Sequence, residues 1–217
     1  MSVWTDAILV FLILSSLLLL GSSRLARLIR IVAAQGVLLG LLTLTARRQE
    51  ISLRVLVLAS AIVGLKGAAF PWLRSRVLWQ ADVRKEVEPF ISYNLSIRIG
   101  ALALPVAFGL SARLPLPTPP PSSLMVPVAL FTTLVGLFLV VSRRKALTQV
   151  LGYLVLENGI YVFGAGLAEG TPMAVELGVL LDVFVAVFVM GIAIFHINRE
   201  FDHIDAAELA TLHHWPS

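Results

Sequence analysis

Apolar residues along this chain come in runs of around twenty, separated by short polar or basic breaks, rather than as periodic faces. A helix rising 1.5 Å per residue needs about 20 residues to cross a hydrocarbon core of about 30 Å. The pattern predicts helices over 4–23, 28–46, 52–72, 91–111, 124–142, 147–167 and 173–195. The expected fold is therefore all-α, a polytopic integral membrane bundle of about seven transmembrane helices. Its first run, from Ala7 to Leu20, follows Asp6 instead of a basic segment and precedes Arg24, Arg27 and Arg30 without a small-residue cleavage site. It reads as a transmembrane helix and not as a cleaved signal peptide.

The breaks fix an orientation. With the N-terminus outside, the inner side collects Arg24, Arg27, Arg30, Arg74, Arg76, Arg84, Lys85, Arg143, Arg144, Lys145 and Arg199. The outer side holds Arg47, Arg48, Arg54 and Arg113, while Lys66 and Arg98 fall inside spans. Cytoplasmic enrichment of Lys and Arg thus places the N-terminus outside and the C-terminus in the cytoplasm. One membrane domain, 1–217, is expected. It comprises a four-helix half (1–112), a Pro-rich external loop (113–123), a three-helix half (124–198) and a polar cytoplasmic tail (199–217). The loop, RLPLPTPPPSS, cannot continue a helix and favours an extended strap. A weak internal repeat links RLARLIRIVAAQGVLLG (24–40) to RRKALTQVLGYLVLENGIYVFG (143–164), the alternative being that any two basic-flanked membrane helices look alike. Both run basic turn, apolar turn, an amide or acid, then glycine. Gln35 takes the place of Glu157, and both copies have the same orientation, which makes the repeat parallel.

Composition narrows the function. Hydrophobic residues make up 58% and charged residues 14%, against the about 25% charge of a soluble domain. The net charge of +4 sits at helix ends, where it sets topology instead of binding nucleic acid. The chain has no cysteine, so it can hold neither an iron–sulfur cluster nor a thiolate-bound nickel site of its own. The histidines of the tail, His203, His213 and His214, read as solvated, and no metal site is expected.

Against this apolar background the buried charges stand out. Glu157 and Asp182 lie near mid-depth of consecutive helices, where an ionised carboxylate is expensive and marks a candidate functional site. Gln149, Tyr153, Glu157 and Tyr161 recur every four residues and share one stripe, a set able to hydrogen-bond a carboxylate and hold water. Gly159, next to Asn158, permits close helix approach. Two readings stay open for Glu157, a proton relay and a permanently protonated clasp between helices. Lys66, just before Pro71, is either a titrating group or a snorkelling one. Arg98 cannot shed its proton and suits a fixed counter-charge for Glu157, Asp182 or a partner subunit. Glu176 either caps its helix near the outer face or serves proton exit. Glu88, before Pro89, lies at the mouth of the fourth span on what is otherwise a solvated segment.

The stretch RRKALTQVLGYLVLENGIYVFG, followed by VELGVLLDVFVAVFVMGIAIFHINREFDHID, resembles the K-type subunit of respiratory complex I and the C-type subunit of Mrp-type multisubunit antiporters. Glu157 matches the glutamate of that family's second helix, and Asp182 matches the acid of its third, as Asp in place of Glu. The complete chain resembles component E of hydrogenase-4-type complexes, the membrane-bound [NiFe] hydrogenase and formate hydrogenlyase assemblies. LKGAAFPWLRSR resembles the Lys…Pro…Trp segment of antiporter-like subunits. The resemblance implies a non-catalytic, multi-pass subunit of a bacterial or archaeal cytoplasmic membrane, contributing buried carboxylates to proton translocation in a redox-driven complex. It implies antiporter-like membrane subunits, a membrane anchor subunit and peripheral redox subunits as partners, with the [NiFe] and iron–sulfur centres in those partners. The alternatives are a non-conducting scaffold of the same membrane arm, a subunit of a multisubunit cation/proton antiporter, and a self-sufficient transporter. The residues leave H⁺ and Na⁺ both open.

Overall fold

The computed structural model describes residues 3–46, 91–116, 119–143 and 146–167. These hold five α-helices: α1 (Val3–Leu20), α2 (Leu25–Ala46), α3 (Tyr93–Ser111), α4 (Met125–Ser142) and α5 (Ala146–Leu167). Each coincides within a few residues with one of the predicted runs. The other two runs, 52–72 and 173–195, lie outside the described residues, as do the loop 81–90 and the tail.

Helices α1, α2, α3 and α4 are long and apolar enough to cross a membrane. These are the elements of a membrane protein. Helix α5 is as long, at 22 residues, but it carries Gln149, Glu157 and Asn158 and is not among those four. The turn between α1 and α2 is tight. The Ser22 amide donates to Leu19 O at 3.3 Å, and the Arg27 and Leu28 amides donate to Arg24 O at 2.9 and 3.1 Å. Helix α2 therefore starts at Leu25 and takes Arg27 into its first turn, three residues earlier than hydropathy suggests.

Side-chain ties fix the directions of the helices. Ser122, just before α4, donates to Asp6 Oδ1 in the first turn of α1 at 2.6 Å. At the other end Arg143, the C-cap of α4, donates through Nη2 to Leu20 O, the last residue of α1, at 3.1 Å. With both pairs of ends joined, α1 and α4 run parallel. Helix α2 follows α1 through a short turn and runs back, and α5 packs antiparallel on α4, so α2 and α5 too are parallel to each other. Helix α3 starts beside Arg143, whose guanidinium lies 5.0 Å from the centroid of the Tyr93 ring. It packs on α1 and α4, and Pro105 inside it removes one backbone donor.

The packing of α1, α2, α4 and α5 divides into two apolar clusters stacked along the bundle. One, toward the Arg143 end, is built on Leu19, Leu28, Val32, Val135, Leu139 and Val155. The other, toward Asp6, is built on Leu9, Leu12, Leu39, Val128 and Val162. In α1, α2 and α5 the switch from one cluster to the other falls at a buried polar residue: Ser16, Gln35 and Asn158 respectively. In α4 the switch falls between Ala129 and Phe131, next to the buried Thr132.

Candidate functional site

Helix α5 carries the candidate site. It is anchored at its start by Gln149, whose Nε2 donates to Arg143 O at 2.9 Å. The Gln149 amide is thus engaged with the backbone of the basic turn, two turns before the carboxylate it was expected to help solvate. Glu157 lies eleven residues past Ala146, about 17 Å along the helix. It is 3% exposed, while Tyr153 and Tyr161, one turn to either side, are half-buried on the same face. The spacing predicted from the sequence therefore places two hydroxyl-bearing rings beside a buried acid.

Rotation about α5 separates two functions of the helix. Glycines Gly152 and Gly159 face α4. A Cβ at Gly152 would lie 2.8 Å from Val140 N and 2.9 Å from Leu139 Cβ, and one at Gly159 would lie 2.5 Å from Thr133 N. Gly136 of α4 meets the Leu156 backbone in the same way. Residue numbers fall along α4 as they rise along α5, as an antiparallel pair requires. At 100° per residue Glu157 is about 200° from Gly159, on the face turned away from α4. The close approach expected of Gly159 is real, and it is made on the opposite side from the acid.

Asn158 faces the bundle interior. Its Nδ2 donates to Gln35 Oε1 at 3.3 Å, and Gln35 Nε2 donates to Ser15 Oγ at 2.9 Å and Ser16 Oγ at 3.1 Å. The Ser15 hydroxyl donates to Leu12 O at 3.0 Å, which leaves its oxygen free to accept and fixes which way round the Gln35 amide stands. Gln35 is fully buried and Asn158 is 2% exposed. The sequence repeat set Gln35 against Glu157; in space Gln35 meets the next residue, Asn158. Reading the repeat one position later aligns Gln35-Gly36 with Asn158-Gly159, a signal the sequence does contain.

Arg98 sits in the second turn of α3 and is exposed, whereas Glu157 is buried on α5. Arg98 makes no ion pair among the described residues. Asp182, Lys66, Glu176 and Glu88 lie outside the described residues. Sequence reasoning missed Ser15, Ser16 and the burial of Arg143. Small hydroxyls inside a leucine run and an arginine at a basic turn carry no distinguishing pattern.

The chain is similar to uncharacterized protein Rv0085 of Mycobacterium tuberculosis, at 30% identity over 202 residues, covering 93% of this chain and 92% of that protein. The chain belongs to that protein's family. It is also similar to hydrogenase-4 component E of Escherichia coli, at 39% identity over 85 residues, 39% of each chain. The component E of Shigella flexneri matches equally. This partial likeness supports the hydrogenase-4 component E resemblance read from the residues. No family model and no solved structure matches.

Proposed function

We propose that this protein is an integral-membrane subunit of a redox-driven, proton-translocating complex of the hydrogenase-4 type, related to complex I, with Glu157 as a proton carrier. The observation that carries this reading is a carboxylate 3% exposed at mid-length of α5, flanked by Tyr153 and Tyr161. A buried acid in a membrane helix is expensive and marks a functional site by default, proton and ion paths among them. The 39% identity with a protein named as a hydrogenase-4 component supports membership of a multisubunit complex. Asp182 and Lys66 are assigned to the same relay, with Arg98, Glu176 and Glu88 in supporting positions. Nickel–iron and iron–sulfur centres belong to partner subunits in this reading, and antiporter-like subunits are the membrane neighbours.

Seven spans with the N-terminus outside are part of the proposal. Arg24, Arg27, Arg30 and Arg143 gather at the end where α1 and α4 finish, and Arg113 lies at the other, which supports a cytoplasmic basic end. Helix α2 leaves that end and α3 starts from it, which supports a crossing between them, the predicted 52–72 run.

Glu157→Gln in the assembled complex tests the carrier role. Dye-monitored proton translocation is expected to be lost while the subunits still co-purify; full translocation would sink it. A scaffold reading is favoured by a different observation, the hydrogen-bonded amide layer and glycine-tight α4–α5 contact. It predicts that the same variant lowers assembly and leaves activity per complex unchanged.

A further inference from the structure

We propose that Gln35 and Asn158 are positioning residues that set the rotation of α5 about its axis and so the direction in which Glu157 faces. The role rests on the reading of Glu157 as a proton carrier. Asn158 is the immediate neighbour of Glu157, so any turn of the helix that moves one moves the other by the same angle. On the α4 side glycines lie close against backbone and side-chain atoms, which sets the separation of the two helices. A second, directional restraint comes from α2. The Asn158 amide reaches Gln35 Oε1 at 3.3 Å, and the Gln35 amide nitrogen is itself held by two serines of α1 at 2.9 and 3.1 Å. The restraint therefore runs from α1 through α2 to α5, between two apolar clusters that exclude competing water. Such a bond is angular where dispersion is not. It holds Asn158 inward and leaves Glu157, 100° further round, on its own face.

The chain has no cysteine, so Glu157→Cys supplies a unique probe of that face. Its modification rate by N-ethylmaleimide is measured on the full chain in native membranes, alone and combined with Gln35→Leu or Asn158→Leu. Loss of the amide pair is expected to change the rate about three- to fifteenfold. The exchanged pair Gln35→Asn/Asn158→Gln is expected to restore it to within about twofold, the spread left by small local adjustments. A purely structural role lowers the amount of protein but leaves the rate per folded molecule alone. If the leucine variants do not accumulate, Ser15→Ala/Ser16→Ala loosens the same network from its far end. An unchanged rate in folded protein overturns the positioning role whatever Glu157 does. A changed rate, with Glu157→Gln still translocating protons, ends the carrier reading and leaves the positioning role standing.

Discussion

Arginine is costly to bury unless its charge and donors find partners. Arg143 is fully buried, donates to Leu20 O and lies over the Tyr93 ring, so one side chain ties the ends of α1, α4 and α3. Burial pushes its guanidinium below the ordinary range, an effect that Tyr93 partly offsets, yet arginine stays protonated throughout. Truncation to Arg143→Ala leaves a cavity and an undonated carbonyl, and is expected to cost about 2–4 kcal/mol in unfolding from mixed micelles. Arg143→Met keeps most of the volume and removes the desolvation penalty together with the hydrogen bond. Its expected cost is about 1 kcal/mol or less. A methionine variant as unstable as the alanine one would show that the polar tie, not the packing, holds this end. The carboxylate of Glu157 was legible in the sequence because a single acid in an apolar run has no neighbours to hide among. Arg143 was not, because a basic residue after a span is ordinary topology until packing shows it enclosed. Asn158 was visible only as the neighbour of Glu157 and Gly159. What it bonds depends on a residue 123 positions away.

At the scale of helices, the apolar runs already carried most of the information, since length in a bilayer is set by thickness. The predicted runs 91–111, 124–142 and 147–167 match α3, α4 and α5 to within two residues at each end. Which helices meet was less legible, because lipid-facing and protein-facing residues are equally apolar. Glycines are the exception, and they give a prediction with an internal control. Gly159→Ala or Gly152→Ala sets a methyl into the α4 backbone region and is expected to cost about 1–3 kcal/mol, the scale of overpacking. At Gly109 and Gly164 an added methyl would meet nothing within 4 Å, so Gly109→Ala and Gly164→Ala are expected to be neutral or to stabilise by about 0.5–1 kcal/mol. Melting temperatures in detergent decide it. Equal effects at all four sites would mean that helix propensity, not close packing, governs these positions.

For the molecule as a whole, the pairing of α1 with α4 and of α2 with α5 gives the α1–α2 and α4–α5 pairs the same direction along the bundle. Asp6 with Ser122 closes one end and Leu20 with Arg143 the other. A parallel repeat, as expected from the sequence, is compatible with this parallel pairing, and the buried amides of Gln35 and Asn158 touch at the junction of the two clusters. Such an arrangement forces every basic turn of the described helices to one side. Arg24 and Arg143 then share a compartment, and Arg113 faces the other. A single cysteine in this otherwise cysteine-free chain tests it directly. Arg113→Cys is expected to react with a membrane-impermeant maleimide in intact cells, and Arg24→Cys only after the cells are opened. Ser123→Cys, exposed next to the Ser122 that is tied to the first turn of α1, is expected to follow Arg113→Cys. The reverse pattern would invert the orientation while preserving the parallel pairing. Labelling of Arg24→Cys and Arg113→Cys from the same side would break the pairing itself, because a helix of 18 residues that begins beside Asp6 and ends beside Arg143 cannot return both turns to one face.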